Sequence, residues 1–137
     1  MYGIYITTIY LSIITYVIWT SSFKQNVSGV HYIFDLDNVS TVVVSDNKRL
    51  IHICDDIMKK IQVTVLNKLI HEFQPQGLTL LYLLSESHFS LHTWPEHNKI
   101  RMDFFSCQNG TASAPIMQYV DDAFSTFANI RIIKMYR

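Results

Sequence analysis

The chain reads as an α+β protein: a two-layer α/β sandwich with a mainly antiparallel sheet, in the order β-α-β-β-β-α-β, preceded by an N-terminal apolar segment. Three observations predict this. Between Leu78 and Cys107 three apolar stretches follow one another across short polar turns, too closely for crossover helices, so their strands should pair antiparallel. Asn47 to Lys60 instead carries apolar residues at helical spacing, and Pro115 opens a second helical stretch. The 137 residues are 49% hydrophobic and 13% aromatic, enough to bury one core and too apolar for disorder.

Composition also narrows function. Eleven Lys plus Arg balance eleven Asp plus Glu, so no basic excess is available to neutralise phosphates, and a nucleic-acid partner is not expected. Cys54 and Cys107 fit no CxxC or zinc pattern, and four Gly and three Pro argue against repeats or flexible linkers.

Ser28-Gly29 marks the entry to the folded domain, and Val30 to Leu36 reads as its first strand. The helix over Asn47–Lys60 has Leu50, Ile51, Ile53, Cys54, Ile57 and Met58 on its apolar side, with Asp46 as N-cap and Lys59-Lys60 at its negative end. Gln62 to Phe73 alternates only in part and is read as a strand. Pro75-Gln76-Gly77 signals a turn. Strands then follow at Leu78–Leu84, His88–Trp94 and Ile100–Cys107, the last two joined by a hairpin loop over residues 95–99. The Pro115 helix runs to about Phe127, and Ile130 to Tyr136 closes the chain as a strand.

The front end is of another kind. Residues 1–23 carry no charged side chain, and the run from Ile4 to Trp19 is dominated by β-branched and aromatic groups. That length just reaches the roughly 20 residues a spanning helix needs, with Tyr2, Tyr5 and Trp19 near its ends. We read 1–23 as a membrane anchor and 24–28 as a linker, with 29–137 as the folded domain. Lys24, the first charge, places that domain on the cytoplasmic side. A cleaved signal lacks its basic n-region here, and a soluble β element is the other rival.

The chemistry-bearing residues cluster between Thr79 and Cys107. A two-residue hairpin tip at Ser85-Glu86 sets Thr79 directly across from His92; a tip at Glu86-Ser87 leaves them diagonal on the same face. Pairing Trp94 with Ile100 sets Cys107 opposite Ser87. On that register Ser87, His92, Thr79 and Cys107 converge at one end of a sheet. Each also has a plain reading: Ser-Glu-Ser as a turn, Cys107 as a buried strand cysteine. His88, His92 and His97 lack a motif-placed carboxylate or cysteine, so no metal is expected. Spacing alone names no reaction.

The motifs do. Glu86-Ser87-His88, then Leu91-His92-Thr93-Trp94-Pro95-Glu96, then Asp103-Phe104-Phe105-Ser106-Cys107 resemble the bacterial and archaeal type of S-adenosylmethionine decarboxylase proenzyme. His71-x-Phe73-x-Pro75-x-Gly77 resembles that family's lead-in, and His31 to Leu36 its first strand. The resemblance covers Gly29 to the C-terminus and is tightest over His71 to Cys107.

It implies a chain that cleaves itself between Glu86 and Ser87, into a β chain 1–86 and an α chain 87–137. The Ser87 hydroxyl would attack the Glu86 carbonyl at a strained turn, with the Thr79 hydroxyl assisting where the family has Ser. His92 would be the base for the elimination that leaves a pyruvoyl group at residue 87. That group would form a Schiff base with S-adenosylmethionine, and Cys107 would protonate the decarboxylated substrate for spermidine synthesis. Phe73 would stack on adenine and Glu96 bind the ribose hydroxyls, in a homodimer with shared active sites. Relatives on the same fold decarboxylate arginine or ornithine, and an unprocessed, tethered non-enzyme is the third reading.

Overall fold

The computed structural model describes residues 29–107 and 115–136. The anchor and linker expected over residues 1–28 lie outside the described residues. Among the described residues no helix is long and apolar enough to cross a membrane.

Six strands form one sheet: β1 (Val30–Asp37), β2 (Val65–Glu72), β3 (Leu78–Leu84), β4 (Ser87–Trp94), β5 (Lys99–Ser106) and β6 (Asn129–Tyr136). Their spatial order is β2-β3-β4-β5-β1-β6, and every neighbouring pair is antiparallel. Four strands separate the helical regions, one more than the order β-α-β-β-β-α-β counts. The strand read over Gln62 to Phe73 is present as Val65–Glu72 and pairs with β3 along its length. As the sheet's edge it is mostly exposed on both faces, which is why its alternation is weak in the sequence.

The helices α1 (Thr41–Val44), α2 (Asn47–Lys60) and α3 (Ile116–Phe124) accompany the sheet. The Asp46 carboxylate accepts from the Arg49 N–H at 3.0 Å, the expected N-cap, a contact typically worth about 1 kcal/mol. Leu50, Cys54, Ile57 and Met58 of α2 and Ile116, Val120 and Phe124 of α3 are buried with one face of the strands. That face carries Tyr32, Phe34, Leu36, Leu80, Tyr82, Phe89, Leu91, Met102 and Phe104. The α3 helix starts after Pro115 and ends three residues before Phe127, which folds back edge-on against Phe124.

The opposite face carries no helix-facing core and is chemically mixed. At one end, cross-strand register aligns Leu83, His88, Phe105, His31 and Met135; at the other it aligns His71, Thr79, His92, Arg101, Asp35 and Arg131. Leu81, Leu83, Ile133 and Met135 remain exposed on its flanks.

Candidate active site

The β3–β4 turn is a two-residue tip at Ser85-Glu86, with Leu84 paired to Ser87, so Thr79 lies directly across from His92 as the first register requires. The turn is pinned from both sides. The Ser85 N–H donates to the Thr64 carbonyl at 3.0 Å, and the Glu86 carbonyl accepts from the Cys107 N–H at 3.1 Å. Ser87 opens β4 half-buried with a near-extended backbone, φ 159°.

The second hairpin corrects the expected register by one residue. Trp94 pairs with Lys99 and Ser87 with Ser106. Pro95–His97 forms a 3-10 turn and Asn98 adopts a left-handed φ of 52°, which closes the loop one residue early. Cys107 therefore stands beside Glu86, not opposite Ser87. It is exposed, unlike a buried strand cysteine; Cys54 is the buried one, and burial pushes its thiol well up.

The expected convergence of all four residues also fails within one chain. Ser87 and His92 lie on the same strand five positions apart, about 16 Å at the usual strand rise. Ser87, Glu86 and Cys107 occupy one end of the hairpin, and Thr79 and His92 the other. Thr79 Oγ1 and His92 Nδ1 are 2.9 Å apart, a direct hydrogen bond.

The Thr79–His92 end opens into a cleft of about 540 Å³ lined by Phe73, Gln74, Pro75, Gln76, Gly77, Thr79, His92, Thr93, Trp94 and Glu96. The loop carrying Phe73 is locked by short contacts. The Phe73 N–H donates to the Gly77 carbonyl at 2.9 Å, and the Leu78 N–H to Thr93 Oγ1 at 2.8 Å. Gly77 has φ +117°, a conformation that side-chain-bearing residues avoid, so this tight return needs glycine. The His71 ring meets Phe73 edge-on at 4.5 Å, and the Trp94 ring lies 6.2 Å from His92. Phe73 and Glu96 are both exposed to the cleft's solvent.

Beside His92 across the strands, Arg101 is fully engaged. It reaches Asp35 at 3.1 Å, Asp37 at 2.8 Å, and the Leu36 and Ile100 carbonyls at 2.9 Å each. Arg131 adds a second contact to Asp35. The Arg101 hydrogen bond holds the Asp37 carboxyl below its usual range. These acids and guanidiniums satisfy one another and brace the His92 end of the open face.

One group near Ser87 was passed over as a possible reactant: His88, whose Nδ1 lies 3.4 Å from the Ser87 hydroxyl. Its place in the Glu-Ser-His run was the available signal. Among the described residues no group of three His, Cys, Asp or Glu side chains is arranged to hold a metal.

A hairpin tip that presents a serine after a tethered carbonyl, and a distant aromatic cleft with a Thr–His pair, is the layout that known relatives can test. The family model for S-adenosylmethionine decarboxylase matches residues 30–137. The chain belongs to that family. It is 32% identical to the S-adenosylmethionine decarboxylase proenzyme of Hydrogenobaculum sp. (strain Y04AAS1), over 71% of this chain and 72% of the relative. The proenzyme of Synechococcus sp. (strain WH7803) is 36% identical, over 69% and 73%. The crystal structure of the adenosylmethionine decarboxylase from Aquifex aeolicus superposes with a TM-score of 0.68 at 28% identity, covering 80% of this chain and 88% of that one.

Proposed function

We propose that the chain is a self-cleaving, pyruvoyl-dependent S-adenosylmethionine decarboxylase whose working site is assembled from two copies. The observation that carries this is the separation of Ser87 and Cys107 from Thr79 and His92 along one hairpin. A twofold partner laid antiparallel on the open face would bring His92 of the partner subunit to the hairpin tip that carries Ser87. The exposed Leu81, Leu83, Ile133 and Met135 supply apolar area for that contact.

In the cleavage step the Ser87 hydroxyl attacks the Glu86 carbonyl. The Cys107 N–H already donates to that carbonyl oxygen, so it is placed to stabilise the negative charge that develops there. The C–N bond then breaks and leaves an ester. The imidazole of His92 of the partner subunit, oriented through its bond to a threonine hydroxyl, removes the proton that lets the ester eliminate. The pinned turn and half-buried Ser87 fit a serine-derived carbonyl at the new N-terminus of residues 87–137.

A pyruvoyl carbonyl there supplies the electron sink that takes up the pair left when carbon dioxide departs. Around it, Phe73 of the partner subunit stacks on adenine and Glu96 of the partner subunit accepts from the ribose hydroxyls. The Cys107 thiol, exposed at the tip, delivers the proton that completes the product. The aminopropyl donor so formed feeds spermidine synthesis. Residues 1–23, uncharged throughout, support a tether to the cytoplasmic face of a membrane. Fractionation that leaves the full-length chain wholly in the soluble pool would refute the tether.

The intact mass of denatured protein tests the central step. Two chains of 86 and 51 residues in place of the 16.0 kDa precursor, the smaller blocked to Edman degradation and reactive to hydrazide, are expected. A single 16.0 kDa species that persists for days would overturn the reading.

A further inference from the structure

We infer that His88 is a catalytic residue of the first cleavage step: its Nδ1 takes the Ser87 hydroxyl proton and returns it to the departing amide nitrogen. The inference rests on the cleavage proposed above. Within a chain His88 is the imidazole beside the nucleophile, with Nδ1 3.4 Å from Ser87 Oγ, a distance that one small side-chain rotation shortens to a working hydrogen bond. His92 of the same chain is about 16 Å away and already bonded to Thr79.

The step balances without an added reactant. Ser87 Oγ bonds to the Glu86 carbonyl carbon while its proton passes to His88 Nδ1. The carbonyl electrons move onto the oxygen that the Cys107 N–H holds. When that oxygen's pair returns, the bond from the Glu86 carbon to the Ser87 nitrogen breaks, and the proton on His88 neutralises the nitrogen. Both proton sites belong to residue 87, so a base on residue 88 serves them in one motion.

The surrounding structure backs the ring. His88 packs on Phe105 with ring centroids 6.0 Å apart, and His31 meets the same ring edge-on at 6.0 Å. His31 is itself fixed to Asp103 at 3.1 Å. Phe105 occupies space that only a glycine leaves open: a Cβ on Gly29 would lie 2.3 Å from the ring. Gly29 is therefore a positioning residue, acting on His88 through Phe105.

Two histidine variants separate the steps, because an ester is cut by hydroxylamine and an amide is not. His88→Ala should slow cleavage by about a hundredfold or more and accumulate an intact chain that resists hydroxylamine. Added imidazole should restore part of its rate. His92→Ala should instead accumulate an intact chain that hydroxylamine splits at residue 86. Gly29→Ala should slow cleavage in the same hydroxylamine-resistant manner. Should His88→Ala not fold, by circular dichroism, His88→Asn keeps an acceptor near the Nδ1 position without the basicity and carries the same expectation. Wild-type cleavage with an unaffected His88 variant, or a His88 variant that accumulates the ester, would overturn this role and leave the proposed function standing. A wild-type chain that never cleaves would remove both.

Discussion

The two ends of the β3–β4 hairpin differ in almost every physical respect. The tip is a closed two-residue turn, pinned by Thr64 and by the Cys107 N–H, with Ser87 half-buried beside it. The far end is open: a cleft of about 540 Å³ with two aromatic rings, a carboxylate and a bonded Thr–His pair. The tip is held by backbone contacts, which suits the proposed cleavage because they fix the Glu86 carbonyl next to Ser87. The cleft is lined by exposed side chains on a braced loop, which suits the nucleoside that the proposed function places there. On the proposed function, the difference teaches that one chain carries two half-sites, each completed by the complementary half of a second copy.

If that division is right, substitutions should split cleanly by end. Cys107→Ala keeps the backbone N–H and removes the thiol. Self-cleavage should continue near the wild-type rate while decarboxylation falls about 10²- to 10³-fold, measured as carbon dioxide release by the cleaved protein. Equal loss of both activities would assign the thiol, not the N–H, to the tip's role in cleavage. Thr79→Ala breaks the 2.9 Å bond that orients His92 and should slow conversion of the ester about tenfold. Thr79→Ser, which keeps the hydroxyl and drops the χ1 restriction, should match or exceed wild type.

At the cleft, Phe73→Ala should raise KM for S-adenosylmethionine up to about tenfold, the upper end of an aromatic stacking contribution, with cleavage unchanged. A fall in cleavage instead would merge the two ends. The smallest effect is expected away from both. Burial alone would raise the Asp55 carboxyl, but the Lys68 ammonium at 2.9 Å and the Tyr82 hydroxyl at 2.7 Å outweigh it and hold it below its usual range. A lowered carboxyl stabilises the fold above its unfolded value of about 3.9 and loses that contribution as pH falls through the folded one. Lys68→Met should therefore lower Tm by about 2–4 °C at pH 7, with the gap closing in acid and cleavage untouched.

Much of the tip was legible in the sequence. The apolar run Leu78 to Leu84 ends at the polar Ser85-Glu86-Ser87, so counting puts Thr79 on the same face as His92 with two tips left open. The structure has the tip at Ser85-Glu86, which sets the two directly opposite. The second hairpin was misread by one residue. Nothing in Pro95-Glu96-His97-Asn98 shows from composition that a 3-10 turn and a left-handed Asn98 will close it early. The short helix Thr41–Val44 was missed because three consecutive valines favour strands; burial of Val43 and Val44 overrides that preference. The distance between Ser87 and His92 was countable too. A second copy that could close it has no trace in local pattern, because complementarity across a twofold axis is a property of the whole open face.

Complementation between two inactive chains tests the shared site most directly. Differently tagged chains carrying Ser87→Ala and His92→Ala are made together, purified through both tags and analysed by mass. The shared site predicts that the His92→Ala chain, uncleaved when made alone, is cut at Glu86-Ser87 in the mixed dimer, because its Ser87 meets the intact His92 of the partner subunit; the Ser87→Ala chain stays whole. A mixed dimer in which the His92→Ala chain remains uncut would contradict the account and place both half-sites' chemistry within one chain.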